Sequence, residues 1–217
     1  MPAIVARAAR VATAALMREC QAMTTDGTLR PAIEIRRLHP GDWAALRAMR
    51  LAALAEAPYA FASTLEREGA FDEQEWRSRL ATTVHFGAWD PAPDPRDPDP
   101  RLVGLAATFP ERPAATERPE APEQPAAPAS PAVTWHLVAM WVSPEHRGQG
   151  IADRLVAAVC ELARARGAGQ VALWVADANP RARVVYRRLG FRPTGQRGIL
   201  RPGEPELGEE RMTRALS

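Results

Sequence analysis

The chain is poor in features that would place it in several large classes. Only two cysteines occur among 217 residues, Cys20 and Cys160. They are too few for a disulfide framework and lack the paired spacing of a zinc site, so no metal is expected. Cys160 falls inside an amphipathic helical pattern, which predicts a buried thiol rather than a nucleophile. The default setting for such cysteine usage is a reducing, cytoplasmic one. Aromatic residues make up 6% of the chain without interleaved basic residues, and the formal net charge is only +2. Neither a stacking platform for single strands nor a global positive field results, so no nucleic-acid partner is expected. No apolar run is long enough to span a membrane, and no signal-peptide core stands between Arg10 and Arg18.

What is present suffices for one core: 46% of the residues are hydrophobic. Residues 1–30 read as an N-terminal extension, helical or disordered, with Arg7, Arg10 and Arg18 among Ala, Val and Leu. A surface-binding or targeting helix is the lesser reading. Residues 31–217 read as a single domain. Twelve of the 21 prolines lie between Pro91 and Pro131, which predicts two solvated loops at 90–101 and 110–132, inserted without a core of their own. Ile33–Arg37 reads as a first strand, followed by a helix with Asp42 as its cap and Pro58 as its breaker. A second helical stretch leads through Trp76 and Leu80. Thr83–Trp89 and Leu102–Phe109 read as a strand hairpin.

The most informative stretch comes after an apolar strand, Leu137–Val142. Ser143-Pro144 turns the chain into a short basic loop bearing Arg147, Gly148 and Gly150, and then a helix begins. Backbone N–H groups and a helix N-terminus arranged this way suit an anion. Gly150 is followed by Ile151-Ala152, so the loop is not a Walker loop, and G-x-G-x-x-G is absent. The next helix, Asp153–Arg166, carries Leu155, Val159 and Leu162 on one face and stops at Gly167. A strand over Gln170–Ala176 leads to Asn179-Pro180, a helix start with Asn as cap and Pro at the first position. Strand, helix, strand, helix predicts a parallel strand pair.

Arg147, Gly150 and Ala152 in this loop resemble the acyl-CoA pyrophosphate signature Gln/Arg-x-x-Gly-x-Gly/Ala of the GNAT N-acetyltransferase superfamily. Asn179 to Phe191, N-P-R-A-R-V-V-Y-R-R-L-G-F, resembles that superfamily's second signature. Residues 57–68, A-P-Y-A-F-A-S-T-L-E-R-E, followed by Trp76, resemble the substrate-side helices of one subgroup. The resemblance covers roughly residues 33–214 apart from the proline-rich interruptions. It implies an α/β fold of α+β type, with a mixed central sheet of about seven strands, about four flanking helices and a V-shaped splay between strands 4 and 5.

The same resemblance implies acetyl-CoA as co-substrate and transfer of its acetyl group to the amine of a small molecule or peptide, directly in a ternary complex. It also allows a homodimer. Met140, Trp141, Val142, Arg147, Gly148, Gln149, Gly150, Ile151, Ala152 and Asn179 would hold the CoA, and a backbone N–H near Met140 or Trp141 would serve the oxyanion. Tyr186 would protonate the leaving thiolate. An amine with a pKa of about 10.4 costs roughly 4.6 kcal/mol to deprotonate at pH 7, so a base helps. His136 stands where many members carry Glu, and Glu66, Glu68 and Asp72 are alternatives. A non-catalytic acyl-CoA sensor on the same fold is the competing reading. A scaffold built on the proline-rich segments is a third.

Overall fold

The computed structural model describes residues 32–91, 99–111 and 133–216. The expectations for the N-terminal extension and for most of both proline-rich loops lie outside these residues. In chain order the elements are β1 (Glu34–Arg37), α1 (Trp43–Glu56), α2 (Leu65–Gly69), α3 (Glu73–Thr82), β2 (Val84–Asp90), β3 (Arg101–Pro110) and β4 (Val133–Val142). There follow α4 (Ile151–Ala165), β5 (Ala168–Ala176), α5 (Pro180–Arg188), β6 (Arg192–Ile199) and β7 (Gly208–Ala215). The strands form one seven-stranded sheet in the order β1-β2-β3-β4-β5-β7-β6. Every neighbouring pair is antiparallel except β4 and β5. The right-handed crossover rule makes α4 the connection that allows this parallel pair.

Adjacent residues of the sheet serve opposite faces. Ala106 on β3 joins a core with Leu155, Val156 and Val159 of α4 and with Phe191 and Met212. Its neighbour Leu105 joins a second core with Leu46 and Leu54 of α1, Trp76 of α3 and Trp141 of β4. Leu155, Val156, Val159 and Ala163 have no exposed surface. Truncating Leu155 to Ala would therefore cost about 2–5 kcal/mol.

Several boundaries differ from the sequence reading for local reasons. Helix α4 begins two residues early, because Gly150 adopts φ 71° and serves as its N-cap. The second helical stretch is two helices broken at Ala70–Asp72, making five α-helices among the described residues instead of about four. Asp42 does precede α1, but its side chain makes no cap to that helix. Its carboxylate instead accepts from the His39 N–H at 2.8 Å and pairs with Arg36, closing a 3-10 turn over Pro40–Asp42. Helix α5 ends at Gly190 (φ 88°) with the Phe191 N–H donating to the Tyr186 carbonyl at 3.0 Å, a Schellman closure.

Strand β4 carries an irregularity that shapes the site. Val138 pairs with Ala107 and Trp141 with Leu105, so Ala139 and Met140 together oppose the single residue Ala106. This is a β-bulge, and Ala139 sits at φ 54°, a conformation costing roughly 1–2 kcal/mol for a residue with a Cβ. The parallel pairing of β4 with β5 runs only from Val133–Ala168 to His136–Ala172. Beyond it β5 continues with β7 as far as Ala176, while β4 bends away with β3. The sheet therefore splays between β4 and β5 beyond His136, as the resemblance implied, and the bulge lies within the splayed stretch.

Candidate active site

Two cavities flank the bulge. The first, of about 530 Å³, is lined by Met140, Trp141 and Val142 of β4, the 146–153 turn and helix start, and Asn179, Ala182 and Tyr186 of α5. Nine of the ten residues singled out for holding CoA line it, from Met140 to Ala152 and Asn179. Gln149 does not. Its side chain turns back and donates to the Glu145 carbonyl at 3.2 Å.

The floor of this cavity is the N-terminus of a 15-residue helix with a left-handed glycine before it. The first N–H groups of a helix have no intrahelical acceptors and carry partial positive charge. A Cβ built at Gly148 or Gly150 meets nothing within 4 Å, so glycine there answers to the positive φ and leaves the backbone bare to the cavity. Asn179 Oδ1 accepts from the Ala182 N–H at 3.1 Å, capping α5 and fixing that helix at the rim. Arg188 clamps Asp153 with two hydrogen bonds of 2.5 and 3.1 Å, tying the end of α5 to the first turn of α4.

Tyr186 is 9% exposed, lies edge-on to Phe191 at 5.7 Å and lines the cavity. Burial pushes its phenol above the ordinary value, so it stays protonated at neutral pH. At neutral pH it can donate a hydrogen bond into the cavity but is not available as a base.

Sequence reading missed Glu56. Its carboxylate accepts from Arg147 at 2.9 Å and from the Trp141 indole at 3.0 Å, while Arg147 also donates to the Val142 carbonyl at 3.1 Å. The hydrogen bond from Arg147 holds the Glu56 carboxyl below the usual range. Arg147 is thereby held as a strut between α1 and β4. A second missed group braces the turn: His146 Nδ1 lies 2.7 Å from Ser143 Oγ, and its Nε2 lies 3.3 Å from Asp90. No local pattern marks either constellation, since Glu56 and Asp90 come from distant parts of the chain.

His136 lines neither cavity. It stands where β4 and β5 are still paired, with Nε2 3.6 Å from Glu111 and burial pushing the imidazole below its ordinary value. Asp72 caps α3 by accepting from the Glu75 N–H at 2.8 Å, and Glu66 is exposed. Glu68 is 1% exposed and held by Arg50 at 2.9 and 3.0 Å and Arg79 at 3.1 Å. Burial pushes its carboxyl up, but the two arginines outweigh that and it is lowered overall.

The second cavity, of about 490 Å³, lies on the α1–α3 side and shares Ala60 and Phe61 with the first. It touches β4 at Val138 and Ala139, next to Met140 of the first cavity. Arg201 donates to the carbonyls of Phe61 (3.2 Å) and Pro58, tying the loop between the cavities to the β6–β7 turn. Cys160 is buried in the α4 core, where burial raises its thiol.

The family model described as Acetyltransferase (GNAT) family matches residues 50–191. The thialysine N-epsilon-acetyltransferase of Bos taurus is 42% identical over 55 residues, 25% of this chain and 32% of that protein. The streptothricin acetyltransferase of Streptomyces lavendulae is 39% identical over 71 residues, 33% of this chain and 38% of that protein. The chain thus spans well under two thirds of either relative. A GCN5-related N-acetyltransferase from Kribbella flavida superposes with TM-score 0.58 at 19% identity, over 85% of this chain and 98% of that one. Arabidopsis thaliana NAA60 in complex with a bisubstrate analogue gives 0.59 at 15% identity, over 86% and 100%. At these identities the superpositions speak for the fold.

Proposed function

Because the chain belongs to the acetyltransferase (GNAT) family, we propose that it transfers an acetyl group from acetyl-CoA to a primary amine of a small molecule or peptide, directly and without an acyl-enzyme. The observation that carries this reading is the first cavity. It joins a bare helix N-terminus for a pyrophosphate, a length of β4 left unpaired on its β5 side and a buried phenol in one space. Gly148–Ala152 would hold the pyrophosphate, where several N–H donors act together because each helix-end interaction contributes only about 0.3–1 kcal/mol. The pantetheine amides would pair with the β4 backbone at Met140–Val142 in the manner of an added strand. The N–H groups exposed by the bulge would face the carbonyl oxygen as it becomes an oxyanion.

Tyr186 would donate to the departing sulfur. Its raised pKa weakens it as a full acid but leaves a strong, always-present hydrogen-bond donor. Cys160 is sealed in the core, which argues against an acyl-enzyme on this cysteine. His136 has no contact with either cavity, which counts against the base role suggested by its position in the sequence. The cysteine usage supports a cytoplasmic setting. Among the described residues no helix is long and apolar enough to cross a membrane.

A non-catalytic acyl-CoA sensor would need only the first cavity. The second cavity across the bulge favours an enzyme with a place for the acceptor. The test is calorimetric titration with acetyl-CoA, followed by thiol release with a panel of amines. The chain contains no lysine, so transfer to its own side-chain amines adds no background. Tyr186→Phe should bind acetyl-CoA normally and lose about tenfold to a hundredfold in kcat. Acetyl-CoA that gives no heat refutes the reading.

A further inference from the structure

We propose that Glu209 receives the acceptor's ammonium group and takes its proton, and that the acceptor is a small primary amine on an apolar or aromatic body. This rests on the acetyl-transfer reading and adds the base and the substrate class to it.

The second cavity has the size of a small-molecule site, about 490 Å³. Its apolar walls are Leu46, Phe61, Leu105, Phe109, Trp174 and Leu200. Five ionisable groups face it: Arg50 from α1, Glu68 from α2, Arg79 from α3, His85 from β2 and Glu209 from β7. Four of them have charge or hydrogen-bond partners, although Arg50 Nη1 is buried without one. Arg50 and Arg79 both grip Glu68, and Arg50 also lies over the Phe61 ring at 4.5 Å. His85 donates its Nδ1–H to the Thr83 carbonyl at 2.9 Å and is held neutral by burial.

Glu209 is different. Among the described residues no hydrogen bond or ion pair engages its carboxylate. Arginines on the neighbouring elements have other partners: Arg211 of β7 holds Glu111 at 2.6 Å, Arg197 of β6 pairs with Asp177, and Arg183 of α5 bridges Asp177 and Glu210 at 3.0 and 3.5 Å. Burial raises its carboxyl above the usual range. A half-buried carboxylate without a cation is unfavourable, and an arriving ammonium removes that cost.

Its position fits the chemistry. Glu209 pairs with Ala176, the last residue of β5, at the open end of the splay. His136 pairs with Ala172, at the closed end. An acceptor in this cavity reaches the thioester past Ala60, Phe61 and the β4 bulge, where the two cavities adjoin.

In the step, the Glu209 carboxylate takes one proton from R–NH3+, leaving R–NH2 and a carboxylic acid. The nitrogen lone pair forms the C–N bond to the thioester carbonyl carbon, the C–S bond breaks, and its electron pair leaves on sulfur. Sulfur gains a proton by way of Tyr186, replaced by the one the nitrogen loses. The products are the amide, the free thiol and one proton on Glu209, released to solvent.

The test uses the full chain with 2-phenylethylamine, tyramine and hexylamine, against taurine and a pentapeptide as comparison acceptors. The three apolar amines should be preferred. Glu209→Gln should lower kcat/KM for the best of them by about a hundredfold or more. The acid limb of the kcat/KM profile should vanish with it, while acetyl-CoA affinity stays as in the wild type and Tm at neutral pH holds or rises, because the unpaired carboxylate is gone. Glu209→Asp should restore part of the activity. A Glu209→Gln enzyme within about threefold of wild type at every pH overturns the proposal, as does preference for the pentapeptide or taurine. Wild type that binds acetyl-CoA but acetylates none of the three amines also overturns it, while leaving the acetyl-transfer reading intact. Absent acetyl-CoA binding sinks that reading instead.

Discussion

His85 should make this protein acid-labile in a defined window. The imidazole is 7% exposed, its Nδ1–H satisfies the Thr83 carbonyl, and burial lowers its pKa to about 4. In the unfolded chain the same group titrates near about 6.5. Between these values the unfolded state binds more protons than the folded one, so stability falls as pH falls. The contribution is fully present above about pH 6.5 and is lost progressively down to about pH 4. The full difference, about 2.5 units, corresponds to roughly 3 kcal/mol, of which about 2 kcal/mol is lost between pH 7 and pH 5. Glu209 works in the opposite sense, since a raised carboxyl stabilises below its unfolded value and loses that as pH rises. Glu68 is lowered overall and adds acid lability only below the ordinary carboxylate range. The difference between wild type and His85→Gln removes both complications. Urea unfolding at pH 7, 6 and 5 should show wild type losing about 2 kcal/mol more than the variant. Parallel pH dependence of the two proteins would refute a buried neutral imidazole at this site.

Two further outcomes concern the first cavity. Glu56→Gln keeps the hydrogen-bond partners of Arg147 and Trp141 but removes a negative charge beside the proposed pyrophosphate site. Exposed pairs contribute about 0–1 kcal/mol, so acetyl-CoA should bind up to about fivefold tighter at low salt, with the gain disappearing as salt rises. Weaker binding on calorimetry would mean that Glu56 positions Arg147 for the ligand. In Gly150→Val the added Cβ meets no atom within 4 Å, but a β-branched residue is forced to φ 71°. The fold should lose roughly 1–2 kcal/mol in thermal unfolding, and acetyl-CoA affinity should fall about tenfold or more as the side chain covers the bare amides. Unchanged affinity would place the anion elsewhere.

The residues that organise the first cavity were legible because they are local in sequence. A strand, a glycine turn and a helix start occupy consecutive positions 137–152, so their geometry follows from turn chemistry and capping alone. Asn179 and Gly190 are legible for the same reason, as the cap and stop of one helix. What escaped the sequence is what depends on register between distant strands. A period-2 pattern over β4 gives no sign that Ala139 and Met140 share a single partner, because a bulge shifts only one residue and alanine does not announce a positive φ. Counting back from Val142 finds His136 by position but cannot know that β4 is still paired with β5 there.

Dependence on register is also why acidic residues in α2 and α3 drew attention while Glu209 did not. Glu66, Glu68 and Asp72 lie in a segment whose motif suggested the acceptor side, and the fold gives two of them structural partners, a cap for Asp72 and two arginines for Glu68. Glu209 lies in G-E-E-R, a stretch that reads as ordinary charged surface. Its alternation with Arg211 along β7 puts both on the face of Trp174, and only the pairing of Ala176 with Glu209 sets that carboxylate at the mouth of the splay. A chemically useful carboxylate is therefore marked by the partner it lacks, which becomes visible only once every neighbouring cation has been assigned in three dimensions.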